Sequence, residues 1–228
     1  MPPHTMLTRG FFATDPVTLA RKLLGCTLVR TLSDGTRLAG TIVETEAYLG
    51  IPDTAAHTFG GRRTPRVASM WAAAGTAYVY FTYGMHHCMN ISAEAEGIPV
   101  AVLLRAVEPT EGLDLIRANR AHPAGTKPRK NPLTDRDLCS GPARLCQAFA
   151  IDRTLDGLDL TAGVGSGSKP RRMPRLGALA VERRKTAPLA DSSIVTGPRV
   201  GLSGDDKWTH APLRFVVAGS PYTSRPRL

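Results

Sequence analysis

Two stretches hold side chains that could do chemistry together, Val43 to His57 (VETEAYLGIPDTAAH) and Tyr78 to Ser92 (YVYFTYGMHHCMNIS). They set one carboxylate, Glu46, among tyrosines, histidines and an asparagine. A carboxylate can take a proton from water as a general base, and flat aromatic rings stack on unpaired bases, so the pattern suits chemistry on a base of a nucleic acid. Glu44 and Glu46 are two apart and share a face of an extended strand. Residue physics alone does not choose between them, since either could serve instead in a surface ion pair.

Other chemistries find less support. Glu44, Glu46, Asp53 and His57 are close in sequence and His86-His87-Cys88 is tempting as a ligand cluster. Zinc sites favour spacings such as H-x3-H or C-x2-C, however, and adjacent strand histidines point to opposite faces. No metal and no cofactor is expected. There is no G-x-S-x-G elbow, P-loop or G-x-G-x-x-G, and Cys88 and Cys146 sit in apolar contexts that suit core thiols. Hydrolysis driven by one carboxylate remains.

The charge balance names the partner. Of 228 residues, 29 are Lys or Arg and 19 are Asp or Glu, giving a net charge of +10. Such a field attracts phosphate backbones and anionic surfaces through counterion release, and nucleic acid is the expected polyanion. The start, MPPHTMLTRGFFATDP, lacks the apolar core of a secretory signal, and no apolar run of about 18 residues exists to span a bilayer. No membrane association is expected. The cysteines, Cys26, Cys88, Cys139 and Cys146, show no C-x-x-C pair and are expected to be reduced. A cytoplasmic or nucleoid-associated protein is expected, and a monomer.

These residues need elements to hold them. Asp15-Pro16 opens a helix with apolar positions Val17, Leu19, Leu23 and Leu24, and Gly25 stops it. Cys26 to Thr31 and Arg37 to Thr45 read as strands joined through Ser33-Asp34-Gly35, with Glu46 at or just beyond the end of the second. Pro52 and Gly60-Gly61 mark a loop. Ala77 to Thr82 and His86 to Ser92 form a second hairpin with Tyr83 at its tip, and alternation puts Tyr78, Tyr80 and Thr82 on one face. Pro99 to Val107 is a central strand carrying Arg105 near its end. Glu108-Pro109 is expected to start a helix, as is Ser140-Gly-Pro, with Ser140 as cap. Leu213 to Ala218 closes the chain as a strand. Gly125 to Arg136 and the Gly/Pro-rich basic insertion at about 162–177 read as loops whose Lys127, Arg129, Lys130, Lys169, Arg171, Arg172 and Arg175 could touch phosphates. Nothing demands a second domain, so residues 1–228 are read as one.

The segments VETEAYLG, AAH, GGRRTPR, YVYFTYGM, CMNIS, VLLRAVEP, LCSGPARLCQA, RVG and PLRFVVAGSPY occur in that order. Together they resemble the alkyladenine (3-methyladenine) DNA glycosylase family from about Leu38 to Tyr222. The resemblance implies an α+β fold: a single mixed domain with a curved antiparallel β-sheet, flanking short helices and a protruding β-hairpin. It implies a monofunctional glycosylase that flips a damaged purine (3-methyladenine, 7-methylguanine, hypoxanthine, ethenoadenine) from duplex DNA and hydrolyses the base–sugar bond, leaving an abasic site in base excision repair.

Residue by residue, the resemblance makes Glu46 the general base and Arg105 a holder of the attacking water, helped by the carbonyl of Val200. Tyr48, His57 and Tyr80 become walls that stack on the flipped base, with the His57 N–H facing the lesion's edge. Asn90 would crowd the exocyclic amino group of guanine, and Tyr83 would fill the gap left in the duplex. Arg62, Thr64, Met70 and Met85 match DNA contacts, while Tyr78 is assigned to structure. His86 and His87 depart from the bulky aromatics common there and could alter the groove contact. The competing readings are a noncatalytic binder of nucleic acid and a metal-dependent nuclease.

Overall fold

The computed structural model describes residues 6–82, 84–121, 133–162, 177–184, 186–203 and 207–228. Tyr83 and the basic positions Lys127, Arg129, Lys130, Lys169, Arg171, Arg172 and Arg175 lie outside the described residues.

After a single helical turn, α1 (Arg9–Phe12), the chain forms α2 (Pro16–Leu23) as expected. The Asp15 carboxylate accepts the Thr18 N–H at 2.8 Å, Pro16 occupies the first turn where its missing N–H costs nothing, and Gly25 leaves the helix at φ +80°. Leu19, Ala20 and Leu23 give α2 a fully buried face.

Among the described residues, eight strands make one antiparallel sheet: β1 (Thr27–Thr31), β2 (Arg37–Tyr48), β3 (Ala77–Thr82), β4 (His86–Ser92), β5 (Ala101–Glu111), β6 (Ala178–Glu182), β7 (Ile194–Gly197) and β8 (Arg214–Val217). The main order is β3-β4-β5-β2-β1-β6, and β8 pairs with both β2 and β7. The molecule is thus a mixed α+β fold built on an open antiparallel sheet. Both hairpins stand where turn chemistry put them. Helices α3 (Leu113–Ala121), α4 (Asp135–Leu138), α5 (Pro142–Ala148) and α6 (Lys207–His210) complete the fold. None is long and apolar enough to cross a membrane, among the described residues.

Three expectations need correction. Glu108-Pro109 does not open a helix, because β5 runs on to Glu111 and Pro109 sits opposite Gly40 beside an irregularity in the ladder, where a missing N–H is tolerated. Ser140 does not cap α5; Gly141 at φ +141° holds that position and the Ser140 hydroxyl accepts from Arg144 instead. Glu46 is not beyond its strand, since β2 continues to Tyr48.

Alternation then divides the sheet. Val79, Met89, Ile91, Val102 and Leu104 join a core that includes Leu19 and Leu23 of α2 and Leu145 of α5. Their neighbours of opposite parity face a cavity. Register brings Tyr78, Asn90, Leu103, Glu46 and Arg214 into one row across β3, β4, β5, β2 and β8. Directly opposed residues project to the same side of a sheet, so chain segments as distant as 46, 90 and 214 meet on one surface.

Candidate active site

Glu46 is fully buried in the middle of that row. Its Oε1 accepts the Val200 N–H at 2.7 Å and faces Arg105 Nη1 at 3.1 Å, and its Oε2 accepts the Tyr48 hydroxyl at 3.0 Å. Burial pushes its pKa above the usual carboxylate value, and this outweighs the opposing pull of Arg105, the Val200 amide and Tyr48. Glu44 behaves oppositely. Burial raises it too, but Arg105, Arg214 and the Ser224 amide and hydroxyl hold its pKa below the ordinary value. The two carboxylates, alike in sequence, are therefore separated by their surroundings into an anchor and a more basic group.

Arg105 reaches both because β5 is irregular at that point. Glu44 opposes Ala106 while Thr45 opposes Leu104, so Arg105 is left without an opposite number on β2. A bulge of this kind re-aims a side chain and is common beside active sites. No local sequence signal announces it.

Tyr48, Arg105 and Val200, three residues in contact with Glu46, line a cavity of about 220 Å³. Tyr48, His57 and Tyr80, which the sequence singled out as walls, all line it, with Asn90, Arg105 and Val200. The His57 ring meets Tyr80 edge-on at 4.6 Å, and its Nδ1 is hydrogen-bonded to the Tyr78 hydroxyl at 2.9 Å. Tyr78 stacks on Tyr80 at 5.3 Å and also lines the cavity. Through its hydroxyl it fixes the orientation of the His57 ring. Burial, with Arg66 and Arg62 nearby, lowers the His57 pKa and keeps its imidazole neutral near neutral pH. Asn90 donates to the Tyr78 carbonyl at 3.3 Å, which fixes its amide at the cavity wall.

Val200 touches Glu46 through its N–H, and one placement differs from expectation. Met70 is 2 % exposed and packs with Val67, Tyr78 and Ala101, so it forms part of the cavity wall and does not lie on an open DNA surface. Arg62, Thr64 and Met85 are exposed, and Phe81 is exposed beside His87 at 5.1 Å.

Sequence reasoning missed the support behind Tyr48. Arg199 lies over the Tyr48 ring at 4.6 Å and makes a two-pronged pair with Asp53 at 2.6 and 2.8 Å, both side chains being fully buried. It also donates to the carbonyls of Ala47 and Trp208. Asp53 in turn accepts the Leu49 and Ala55 amides. One ion pair thus ties the loop carrying His57 to the segment carrying Val200 and props one face of Tyr48. Arg199 and Asp53 are 146 residues apart. The only trace in sequence was an Asp in a Pro/Gly loop, which reads equally well as a turn residue.

Comparison with known proteins agrees with this geometry. Residues 10–221 match the family model of methylpurine-DNA glycosylase. The chain is 46 % identical over 221 residues to the DNA-3-methyladenine glycosylase of Homo sapiens, covering 96 % of this chain and 68 % of the relative. It is 45 % identical over 214 residues to the Mus musculus enzyme, covering 94 % of this chain but only 60 % of that protein's length. The putative 3-methyladenine DNA glycosylase of Desulfitobacterium hafniense is 41 % identical over 218 residues, with 96 % and 98 % covered. A match over nearly all of the sheet, together with the cavity and its buried carboxylate, leads to one conclusion: the chain belongs to the methylpurine-DNA glycosylase family.

Proposed function

We propose that this protein is a monofunctional DNA glycosylase acting on damaged purines, alkylated ones above all, through a water activated by Glu46. The observation that carries the reading is a fully buried carboxylate of raised pKa in direct contact with Tyr48, Arg105 and Val200, three residues that line an aromatic-walled cavity. A volume of about 220 Å³ is below the ~300–1,000 Å³ of drug-sized ligand pockets, which suits one flat base.

In this reading the damaged nucleotide leaves the duplex, at a cost of a few kcal/mol that is smaller for a damaged or mispaired base. Stacking against Tyr48, His57 and Tyr80 returns ~1–3 kcal/mol per base, and a cationic N3- or N7-alkylpurine gains ~0.5–2 kcal/mol more over a π-face. Water attacks C1′ of the sugar and passes a proton to Glu46. The glycosidic bond breaks with its electron pair going to the base. An alkylated base is cationic and leaves as a neutral molecule, so one carboxylate suffices. Hypoxanthine and ethenoadenine fit the same walls but must gain a proton, which predicts slower release. Asn90 at the wall disfavours unmodified guanine.

The test is incubation with duplex carrying 3-methyladenine, 7-methylguanine or hypoxanthine, then alkaline cleavage of abasic sites. Strand breaks at the lesion are expected. No excision by the wild type, or undiminished excision by Glu46→Gln, would overturn the proposal.

A further inference from the structure

We propose that Glu44 and Ser224 are positioning residues for the hydrolysis, a clamp formed by the C-terminal segment that holds Arg105 so that a single nitrogen of its guanidinium faces Glu46. The inference rests on the glycosylase reading for its chemistry, but the clamp is a matter of geometry.

An arginine beside a lone carboxylate tends to engage it with two parallel N–H···O bonds. Such a pairing with Glu46 would occupy both oxygens and stabilise its charged form, leaving a poor base with no free acceptor for water. The structure prevents it by occupying the rest of the guanidinium. Arg105 Nε donates to Glu44 Oε1 at 2.8 Å and Nη2 donates to the Ser224 hydroxyl at 3.0 Å. Only Nη1 remains for Glu46, at the longer distance of 3.1 Å.

Glu44 is itself fixed from the chain's last residues. The Ser224 N–H donates to its Oε2 at 2.5 Å and the Ser224 hydroxyl to its Oε1 at 2.7 Å. Arg214 Nε donates to Oε1 at 2.8 Å, while Arg214 Nη2 donates to the carbonyls of Ser224 and Pro226 and secures that segment. Glu44, Arg105, Arg214 and Ser224 are all at least nine-tenths buried. The Ser224 hydroxyl both accepts from Arg105 and donates to Glu44, so it joins the segment directly to the residue beside the base.

The charged and titratable groups facing Glu46 are Arg105 of β5, Glu44 and Tyr48 of β2, Tyr80 of β3, Cys88 of β4 and Arg214 of β8, with Arg199 behind Tyr48 and His57 across the cavity. Burial raises the pKa of both phenols and of the thiol, and lowers that of His57. Of the groups facing Glu46, the phenols and the thiol therefore keep their charge between the acid range and neutrality, which leaves the two glutamates and His57 as those whose charge can change there.

The test compares Glu44→Gln, Ser224→Ala and Ser224→Thr with wild type. Single-turnover excision is measured across pH, duplex affinity separately, and the Glu46 carboxyl is titrated by ¹³C NMR in the free protein. With Glu44→Gln, Arg105 is released to Glu46 and a repelling charge is lost, so the acid limb of the rate profile and the NMR titration both move to lower pH. The rate at neutral pH is expected to fall about tenfold, the equivalent of one pKa unit, with affinity unchanged. Ser224→Ala moves both in the same direction by less, and Ser224→Thr restores them. Variants that lower the melting temperature yet keep the wild-type limb and NMR titration would overturn the proposal. If Glu44→Gln does not fold, an unshifted limb and titration in Ser224→Ala do so alone. A shifted NMR titration in a protein that excises no base would instead refute the hydrolysis reading and leave the clamp standing.

Discussion

At the scale of single residues the informative contrast lies between Glu46 and its partners. Burial raises the Glu46 pKa despite Arg105 and two hydrogen bonds, so the fold favours the neutral form of this side chain. A group whose folded pKa is raised adds stability below its unfolded pKa and loses it as pH rises through the folded value. Ionising this carboxylate in the folded protein therefore carries a cost in stability. Glu46→Gln is expected to abolish most excision, by the ~10²–10⁴-fold typical of a general base, without lowering the melting temperature measured at pH 7. Tyr48 separates two roles in one side chain. Tyr48→Phe keeps the stacking ring but removes the hydroxyl that donates to Glu46 Oε2, so the acid limb of the rate profile should move to higher pH with duplex affinity unchanged. Tyr48→Ala should also weaken binding of a lesion duplex by the ~1–3 kcal/mol of a stacked base, read in a titration.

At the scale of elements, the loop between β2 and β3 determines whether the walls stand. Its anchors are the buried Arg199–Asp53 pair and Gly50, whose φ is +71° and whose α-carbon approaches the Pro99 carbonyl so closely that an added Cβ would lie 2.7 Å from that oxygen. Gly50→Ala combines an unfavourable φ with a backbone collision and should cost well over ~1 kcal/mol. Asp53→Ala leaves the Arg199 charge buried without its partner, which typically costs ~3–5 kcal/mol. Both losses would appear as a lowered midpoint in urea unfolding, and the Asp53 variant should also lose lesion affinity because Tyr48 and His57 are no longer braced. Glu44 sets the acid limit of the same assembly. Its pKa is held below 4.5 in the fold, so its contribution is present above that value and is lost as pH falls through the folded pKa. Acid unfolding of Glu44→Gln should accordingly be flatter than that of the wild type.

At the scale of the whole molecule the net charge of +10 is the feature that, in the proposed glycosylase reading, draws the protein to DNA. Arg62, Arg63 and Arg66 are exposed on the loop leading to the cavity; Arg63 lies over Trp71 at 4.3 Å, and Arg66 over Tyr80 at 5.7 Å. Duplex affinity should fall linearly on a log–log plot against salt, and Arg62→Gln should reduce that slope by about one while weakening all sequences alike. The single-turnover rate at saturating protein should be insensitive to the same change. A slope unaltered by Arg62→Gln would move the DNA path away from this loop.

What the sequence determined by itself were the things encoded over short range. The Asp15-Pro16 helix start, the Asp34-Gly35 turn, the hairpin around Gly84 and the common face of Tyr78, Tyr80 and Thr82 follow from local backbone preference and strand alternation, and the structure has them all. The candidate wall residues Tyr48, His57 and Tyr80 could be named through the family resemblance, because the motifs that hold them are clustered in two short stretches, and all three line the cavity. Short strands β6 and β7 were not legible, since four or five residues give too little periodicity to read. Nor was the choice between Glu44 and Glu46, two residues with the same local pattern. That choice was made by residues far along the chain: Arg214 and Ser224 close on Glu44, the Val200 amide closes on Glu46, and a bulge in β5 lets Arg105 touch both. Charge and burial at a carboxylate depend on which distant groups come within about 3 Å, and only the tertiary structure fixes those distances.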